Sequence, residues 1–377
     1  MIKRIIGSLG IAAVLLAVPA IAGASVAFTQ IVAPYTFASQ PSNLAIYVAN
    51  NDGSGSRKLS ATGSEPEISP DGTTIAYLKD VKVKKSDSTT IDTYYLHFLT
   101  IATNADFNTK LQCQLPTWAP NSSAVACNLA PWMSVLTGTG GTGLVTVTPT
   151  GKVTTISEDT DTVSVAWNSA TWSPDSSMIA WESNVSSSKV TNGFSAPKLR
   201  AKNADGTGSL IKLGNNAATA VWGPNLIAYR AFTGSGDSLT SQVWTVNPKI
   251  HNSSTATQVT HWTQPKNGMD SGPSPSLWTP NGKTIIGVIA GMDDDATSVK
   301  INATTGKITP ISVNNQYSNS PMAVSSDGST VLIYYYSQAC CSTKAVGYVV
   351  TASLTGTAGT KFKDNVSFMS VSADWKP

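Results

Sequence analysis

Short apolar runs recur along the chain, and each is entered from the same polar corner. The corner is a bulky residue, a small one, usually Pro, then Asp or Asn, then Gly or Ser. It occurs as Ile68-Ser-Pro-Asp-Gly72, Trp118-Ala-Pro-Asn-Ser122, Trp172-Ser-Pro-Asp-Ser176 and Trp222-Gly-Pro-Asn225. It continues as Trp278-Thr-Pro-Asn-Gly282 and Val324-Ser-Ser-Asp-Gly328, and ends in Trp375-Lys-Pro377. The bulky residues are 50, 54, 50, 56, 46 and 51 positions apart. Behind each corner comes an apolar run such as Thr74-Ile-Ala-Tyr77, Met178-Ile-Ala-Trp181 or Val331-Leu-Ile-Tyr334. A stretch of variable length follows, then an alternating run such as Gln242-Val-Trp-Thr-Val246 or Leu144-Val-Thr-Val-Thr148. A glycine turn (Asp205-Gly206, Thr150-Gly151, Thr305-Gly306) leads to a last short run such as Lys152-Val-Thr-Thr-Ile156. Alternation marks half-buried strands, and the pattern predicts four strands and three hairpins per repeat. Proline presets φ for a type I turn and glycine accepts the left-handed position beside it, so the corner joins strands one and two. The aromatic ahead of it is expected to pack between repeats.

Repeated four-stranded units of this length are the blades of a β-propeller. The sequence therefore predicts an all-β, seven-bladed propeller of four-stranded antiparallel blades. Six blades are the alternative if the weak copy around Val324 folds differently. The last anchor, Trp375, stands near the C-terminus, so three runs near the other end (25–32, 44–50 and 57–61) are expected to complete its blade. Pairing of the N-terminal strands with the C-terminal strand would close the ring and remove open edges.

The residues Ile46-Tyr-Val-Ala-Asn-Asn-Asp-Gly53, Arg57-Lys-Leu59, Glu65-Pro-Glu-Ile-Ser-Pro-Asp-Gly72 and Ile75-Ala-Tyr77 resemble the repeats of TolB-like β-propellers. Trp375-Lys-Pro377 resembles the bare anchor on which such chains end. The resemblance covers 25–377 and implies the fold and the completion of the last blade by N-terminal strands. It departs from the TolB pattern of six blades behind an N-terminal α/β domain, and its stretches after the second strand are longer.

Lys3 and Arg4 precede an apolar stretch from Ile5 to Val18, followed by Pro19 and the small-residue exits Ala20-Ile-Ala22 or Ala22-Gly-Ala24. These are the three parts of a secretory signal peptide, expected over 1–24, leaving 25–377 as one propeller domain that is secreted or periplasmic. The rival reading is an uncleaved membrane anchor. Charged residues make up 12% of the chain, with Lys plus Arg 25 and Asp plus Glu 22. Such a balance gives no field for a polyanion, which excludes a nucleic-acid partner. In an oxidising compartment Cys113, Cys127, Cys340 and Cys341 are expected to pair. Three connectivities exist, and two local pairs are favoured: Cys113 with Cys127 across one hairpin, and Cys340 with Cys341 in a loop.

Catalytic patterns are sparse. Gly138-Thr-Gly-Gly-Thr-Gly143 matches a dinucleotide fingerprint in letters, but a strand and not a helix follows it, so it reads as a hairpin loop. His97, His251 and His261 form no metal-ligand motif. Two acidic clusters could attract Ca²⁺, which takes several hard oxygen ligands: Asp293-Asp294-Asp295, and Asp159 with Asp161. No G-x-S-x-G elbow is present, and a prolyl-oligopeptidase-like enzyme is not expected. What distinguishes the repeats is the stretch between strands two and three: 79–90, 130–141, 183–197, 232–241, 291–296 and 337–344. These differ in length and are tipped with Trp132, Phe194, Asp293, Asp294, Asp295 and the Cys340–Cys341 pair. Varied loops on a rigid frame are where binding tends to sit. The expected function is a monomeric, non-enzymatic scaffold for a protein or envelope partner, without a cofactor. The alternatives are a carbohydrate-binding propeller using Trp132, Trp262 and Tyr35, and a metal-dependent lyase or hydrolase around His251 and His261.

Overall fold

The computed structural model describes residues 25–31, 44–50, 53–60, 62–84, 90–129, 143–158, 163–165, 170–185, 198–215, 217–233, 240–249, 255–263, 272–290, 296–311, 319–336, 347–354 and 361–373. No α-helix occurs among them. The N-terminal strands are β1 (Ser25–Ile31), β2 (Leu44–Asn50) and β3 (Arg57–Ser60). The first sheet then runs in chain order through β4 (Ser64–Ile68), β5 (Thr74–Lys84), β6 (Thr90–Thr100), β7 (Asp106–Trp118), β8 (Val125–Leu129), β9 (Gly143–Val147) and β10 (Val153–Glu158). The second holds β11 (Val163–Val165), β12 (Thr171–Trp172), β13 (Met178–Val185), β14 (Lys198–Asn203) and β15 (Ile211–Asn215). The third holds β16 (Ala217–Trp222), β17 (Ile227–Thr233), β18 (Thr240–Val246) and β19 (Thr257–Gln258). The fourth holds β20 (Pro273–Trp278), β21 (Thr284–Ala290), β22 (Ala296–Asn302) and β23 (Ile308–Pro310). The fifth begins with β24 (Asn319–Val324), β25 (Thr330–Tyr336), β26 (Gly347–Ser353) and β27 (Lys361–Ala373), and continues into β1, β2 and β3. Every pairing is antiparallel, as the repeat predicts; β27 meets β1 with Val26 opposite Ala373 and Phe28 opposite Val371.

Two sheets are longer than one repeat, which the sequence did not announce. Each contains a 13-residue strand, β7 or β27, that serves two partners in succession. The first part of β7 pairs with β6 (Phe98 opposite Phe107) and the last part with β8 (Trp118 opposite Val125). Lys110 and Leu115, with φ of 59° and 52°, flank the point between Gln112 and Cys113 where the strand passes from one partner to the other, each at a shift of register. Left-handed backbone at ordinary residues bends and twists a strand as a bulge does.

The polar corner forms as its residue types require. In the first copy the Gly72 N–H donates to the Ser69 carbonyl and the Ser69 N–H to the Thr74 carbonyl, both at 2.7 Å, with Gly72 left-handed at φ 72°. Asp71 Oδ1 accepts from the Ser69 hydroxyl (2.6 Å), the Thr73 N–H (3.0 Å) and the Thr73 hydroxyl (2.9 Å), while the Thr74 N–H donates to Ser69 Oγ (2.9 Å). The same network recurs around Asp175, Asn281 and Asp327. Asp and Asn are used because their side-chain oxygen satisfies the corner's own N–H groups. Ser122 and Ser176 occupy the left-handed position at φ 60°. Each then accepts, through Oγ, the main-chain N–H of the preceding corner: from Asp71 at 2.9 Å and from Asn121 at 3.1 Å.

Alternate residues of each strand enter different cores, because the sheets are covered on both faces. On β5, Ala76 and Leu78 pack with Phe98, Trp118 and Val125, whereas Ile75 and Tyr77 pack with Ala27, Ile46 and Val48 of the N-terminal strands. Further clusters join β8 and β9 to β13, β14 to β17, β18 to β22, β21 to β25, and β25 to β1. Within the first of these cores Cys113 and Cys127 form the expected disulfide, with Cα atoms 5.8 Å apart.

Candidate binding face

The corners gather on one side. Besides the Ser122 and Ser176 contacts, a Cβ on Gly282 would lie 3.6 Å from Pro224, and one on Gly328 3.4 Å from Pro280. Successive corners therefore touch. The second strand of each repeat leads away from its corner, so the connections between strands two and three leave from the opposite side. Their stems are registered pairs: Lys84 opposite Thr90, Leu129 opposite Gly143, Ser183 opposite Lys198, Thr233 opposite Thr240, Ala290 opposite Ala296 and Tyr336 opposite Gly347. The frame that carries these connections is thus paired up to its end.

Trp132, Phe194, Asp293, Asp294, Asp295, Cys340 and Cys341, all assigned to these connections, lie outside the described residues, as do Asp159, Asp161, His251 and Tyr35. His97 and His261 are described and are not brought together. His97 belongs to β6 in the first sheet, whereas His261 follows β19 and its Nδ1 lies 3.3 Å from Gln258 Nε2. No group of three His, Cys, Asp or Glu side chains that could hold a metal occurs among the described residues. Trp262 is half-buried and held by Gln242, which accepts the Trp262 N–H and donates to its carbonyl, both at 2.8 Å.

Two carboxylates near the stems escaped the sequence reading. Glu65 Oε2 accepts the N–H of Leu115 at 3.0 Å, and Glu182 Oε2 accepts that of Thr219 at 3.2 Å. Leu115 and Thr219, at φ 52° and 47°, each stand three positions before an anchor tryptophan, and Glu65, at φ 48°, three before Ile68. The register of the innermost strand shifts at these places. Left-handed φ costs a Leu or Thr about 1–3 kcal/mol, and the hydrogen bond its N–H donates to a glutamate of the preceding repeat helps to hold it. The only available signal was that spacing of three. Burial pushes the Glu65 carboxyl above its ordinary value, and the Leu115 N–H partly opposes the shift. Arg230 is pulled below its usual value by burial, opposed by the charge of Glu182, and its guanidinium lies 4.8 Å over the Phe232 ring.

A second polar group sits on the β5–β7 part of the first sheet. His97 is buried, with Nδ1 2.8 Å from Asp106 Oδ1, and the Lys79 ammonium donates to Asp106 Oδ2 at 3.1 Å. Burial lowers the His97 pKa against the pull of Asp106. Burial also opposes ionisation of Asp106, but hydrogen bonds from His97, Lys79 and Tyr77 hold it below the usual carboxylate value.

No protein-family model matches the chain, and no curated protein matches it. Solved structures do. The β-propeller domain of the Trilobed protease from Pyrococcus furiosus is 13% identical, with a TM-score of 0.56 over 91% of this chain and 95% of that one. Oligogalacturonate lyase from Vibrio parahaemolyticus is 12% identical, with a TM-score of 0.55 over 90% of this chain and 85% of that one. The chain is a β-propeller. TolB from Acinetobacter baumannii is also matched, at 12% identity and a TM-score of 0.48, over 93% of this chain. This chain spans 65% of that TolB's length.

Proposed function

We propose that the chain is an exported seven-bladed propeller that binds a protein partner through the varied connections between its second and third strands. Dividing the two long sheets within β7 and β27 yields seven units of four strands, the first strand of the second sheet being in two pieces, β11 and β12, that both pair with β13. The seven apolar clusters found among the described residues each bridge two of these units, and one bridges the last to the first through Ala27, Ile46 and Val48 against Ile75 and Tyr77. That count supports seven blades and a ring closed by β27 against β1. Export is supported by the charged, apolar and small-residue order of 1–24 and by the Cys113–Cys127 disulfide.

The observation that carries the binding role is the contrast between the two sides. Similar corners in contact with one another, two successive pairs of them hydrogen-bonded, occupy one side, while unlike connections spring from paired stems on the other. A rigid frame with unequal connections is suited to partner recognition. Replacing 130–142 and 186–197 by short turns should leave the thermal midpoint unchanged and abolish capture of the partner from the native envelope. Undiminished capture by a folded, shortened protein would count against the reading.

A further inference from the structure

A cavity of about 490 Å³ opens between the fourth and fifth sheets on the corner side, away from the proposed binding side. Its lining includes Lys300, Lys307, Thr284, Thr309, Asn281 and Asn302. We propose that it is a binding site for a tetrahedral oxyanion, phosphate or sulfate, and this inference does not depend on the reading of the other side.

Several hydrogen-bonding groups around this space are already committed. Asn281 Oδ1 accepts from the Thr279 hydroxyl and the Lys283 N–H, both at 2.9 Å. Asn302 Oδ1 accepts from the N–H groups of Thr304 (3.0 Å) and Thr305 (2.8 Å). Both amides are thereby oriented with oxygen engaged, and their NH₂ groups are left to donate. The Lys300 ammonium gives one hydrogen to the Leu354 carbonyl at 2.6 Å and keeps two. The free groups around this space are therefore mainly donors, two of them cationic, and no carboxylate lines it.

Among the described residues no counter-ion is built in. Lys300 is only part-buried, yet no salt bridge to it or to Lys307 occurs among the described residues. Asp327 stands beside the lining residue Gly328, but its two oxygens are engaged by Ser325 and Ser329. Of the neighbouring stretches of sequence outside the described residues, 312–318 and 355–360 contain no acidic residue, whereas 291–295, which joins β21 to β22, carries Asp293, Asp294 and Asp295. A part-buried ammonium without a carboxylate favours a mobile anion. The Lys300 bond alone has a structural explanation, since Arg57 donates in the same way to the Ile101 carbonyl (2.7 Å) where the fifth sheet meets the first. The cavity and its donor-rich polar groups are what go beyond such a latch.

The test is titration of the full mature chain with inorganic phosphate, sulfate and glycerol phosphate at constant ionic strength, followed through amide NMR signals and calorimetry. The expected result is saturable binding with shifts confined to the amides of Lys307, Thr309, Gly328 and their neighbours. Lys307→Gln removes an exposed charge that holds nothing in place and should weaken binding about tenfold. Asn302→Asp keeps the acceptor for Thr304 and Thr305, adds a repelling charge and should abolish binding. Tighter binding of glycerol phosphate than of inorganic phosphate would assign the site to a phosphoester group, and the reverse to the free ion. Non-saturating shifts spread over many lysines, or equal binding by both folded variants, would overturn the proposal.

Discussion

The indole N–H of Trp172 donates to the main-chain carbonyl of Thr117, 2.9 Å away and 55 positions earlier in the chain. Thr117 is the residue just before Trp118, the preceding anchor. Trp118 makes the same bond to the Glu67 carbonyl, just before Ile68, and Trp278 to the Val221 carbonyl, just before Trp222. The repeated aromatic therefore fills the space between units and also fixes their relative height with one directional bond. A buried Trp needs a partner for its N–H, and the neighbouring inner strand supplies it.

Trp172→Phe keeps most of the apolar volume and leaves the Thr117 carbonyl without this donor. It should lower stability by about 1–3 kcal/mol, read as a reduced urea midpoint. Trp172→Ala should cost about 3–5 kcal/mol, because a cavity is added to the lost bond.

The Cys113–Cys127 bridge spans 14 positions and lies in a buried cluster. Replacing both cysteines by alanine should destabilise the protein by about 3 kcal/mol, the loop-closure value for a link of this length. Thermal unfolding with and without reductant checks this: reductant should lower the midpoint of the natural chain and leave that of the double variant unchanged.

At the corners, hydrogen bonds from Ser173 and Ser177 hold the exposed Asp175 carboxyl down at about 2. A depressed folded-state pKa contributes stability above the ordinary carboxylate value, and that stability is lost as pH falls from the ordinary value of 3.8 towards 2. Asp175→Asn retains the acceptor oxygen, as Asn281 does in its own corner. The variant should match the natural chain at neutral pH and lose less stability over that acid window in pH-dependent denaturation. The difference is small, because solvent screens an exposed group.

Glu65 has the opposite sign. Its carboxyl is raised above 4.5, so ionisation disfavours folding, and stability falls as pH rises through the folded-state value. Glu65→Gln can still accept the Leu115 N–H and should remove this decline. Glu65→Ala leaves that N–H unpaired at a left-handed leucine and should cost about 1–3 kcal/mol at every pH. Urea unfolding at several pH values separates the two variants.

The repeat was legible because each corner needs the same chemistry. A left-handed residue, an Asx oxygen and a bulky anchor recur whatever the rest of the unit does, so Gly72, Asp71 and Trp118 announced their roles. The glycine turns at Gly151, Gly206 and Gly306 were equally plain, and all three have positive φ. The continuity of β7 across two units was hidden, since Lys110 and Leu115 carry no mark of left-handed backbone and their conformation is imposed by tertiary pairing. The carboxylates Glu65 and Glu182 were hidden for a related reason: their partners are main-chain N–H groups 50 and 37 positions away, which no side-chain pattern encodes. The candidate partner residues rest on the variety of the connections alone, and the structure describes their stems rather than the residues themselves.

Under the proposed function, recognition belongs to the side carrying the unequal connections. This is tested most directly by placing a photo-reactive amino acid at Trp132 or Phe194, within the connections themselves, and at Asn121 or Asn225 in the corners, followed by irradiation in the native envelope. On that reading a discrete cross-linked partner is expected from positions 132 and 194 and none from 121 and 225. The same partner trapped from the corner positions alone, or equally from both sides, would contradict it.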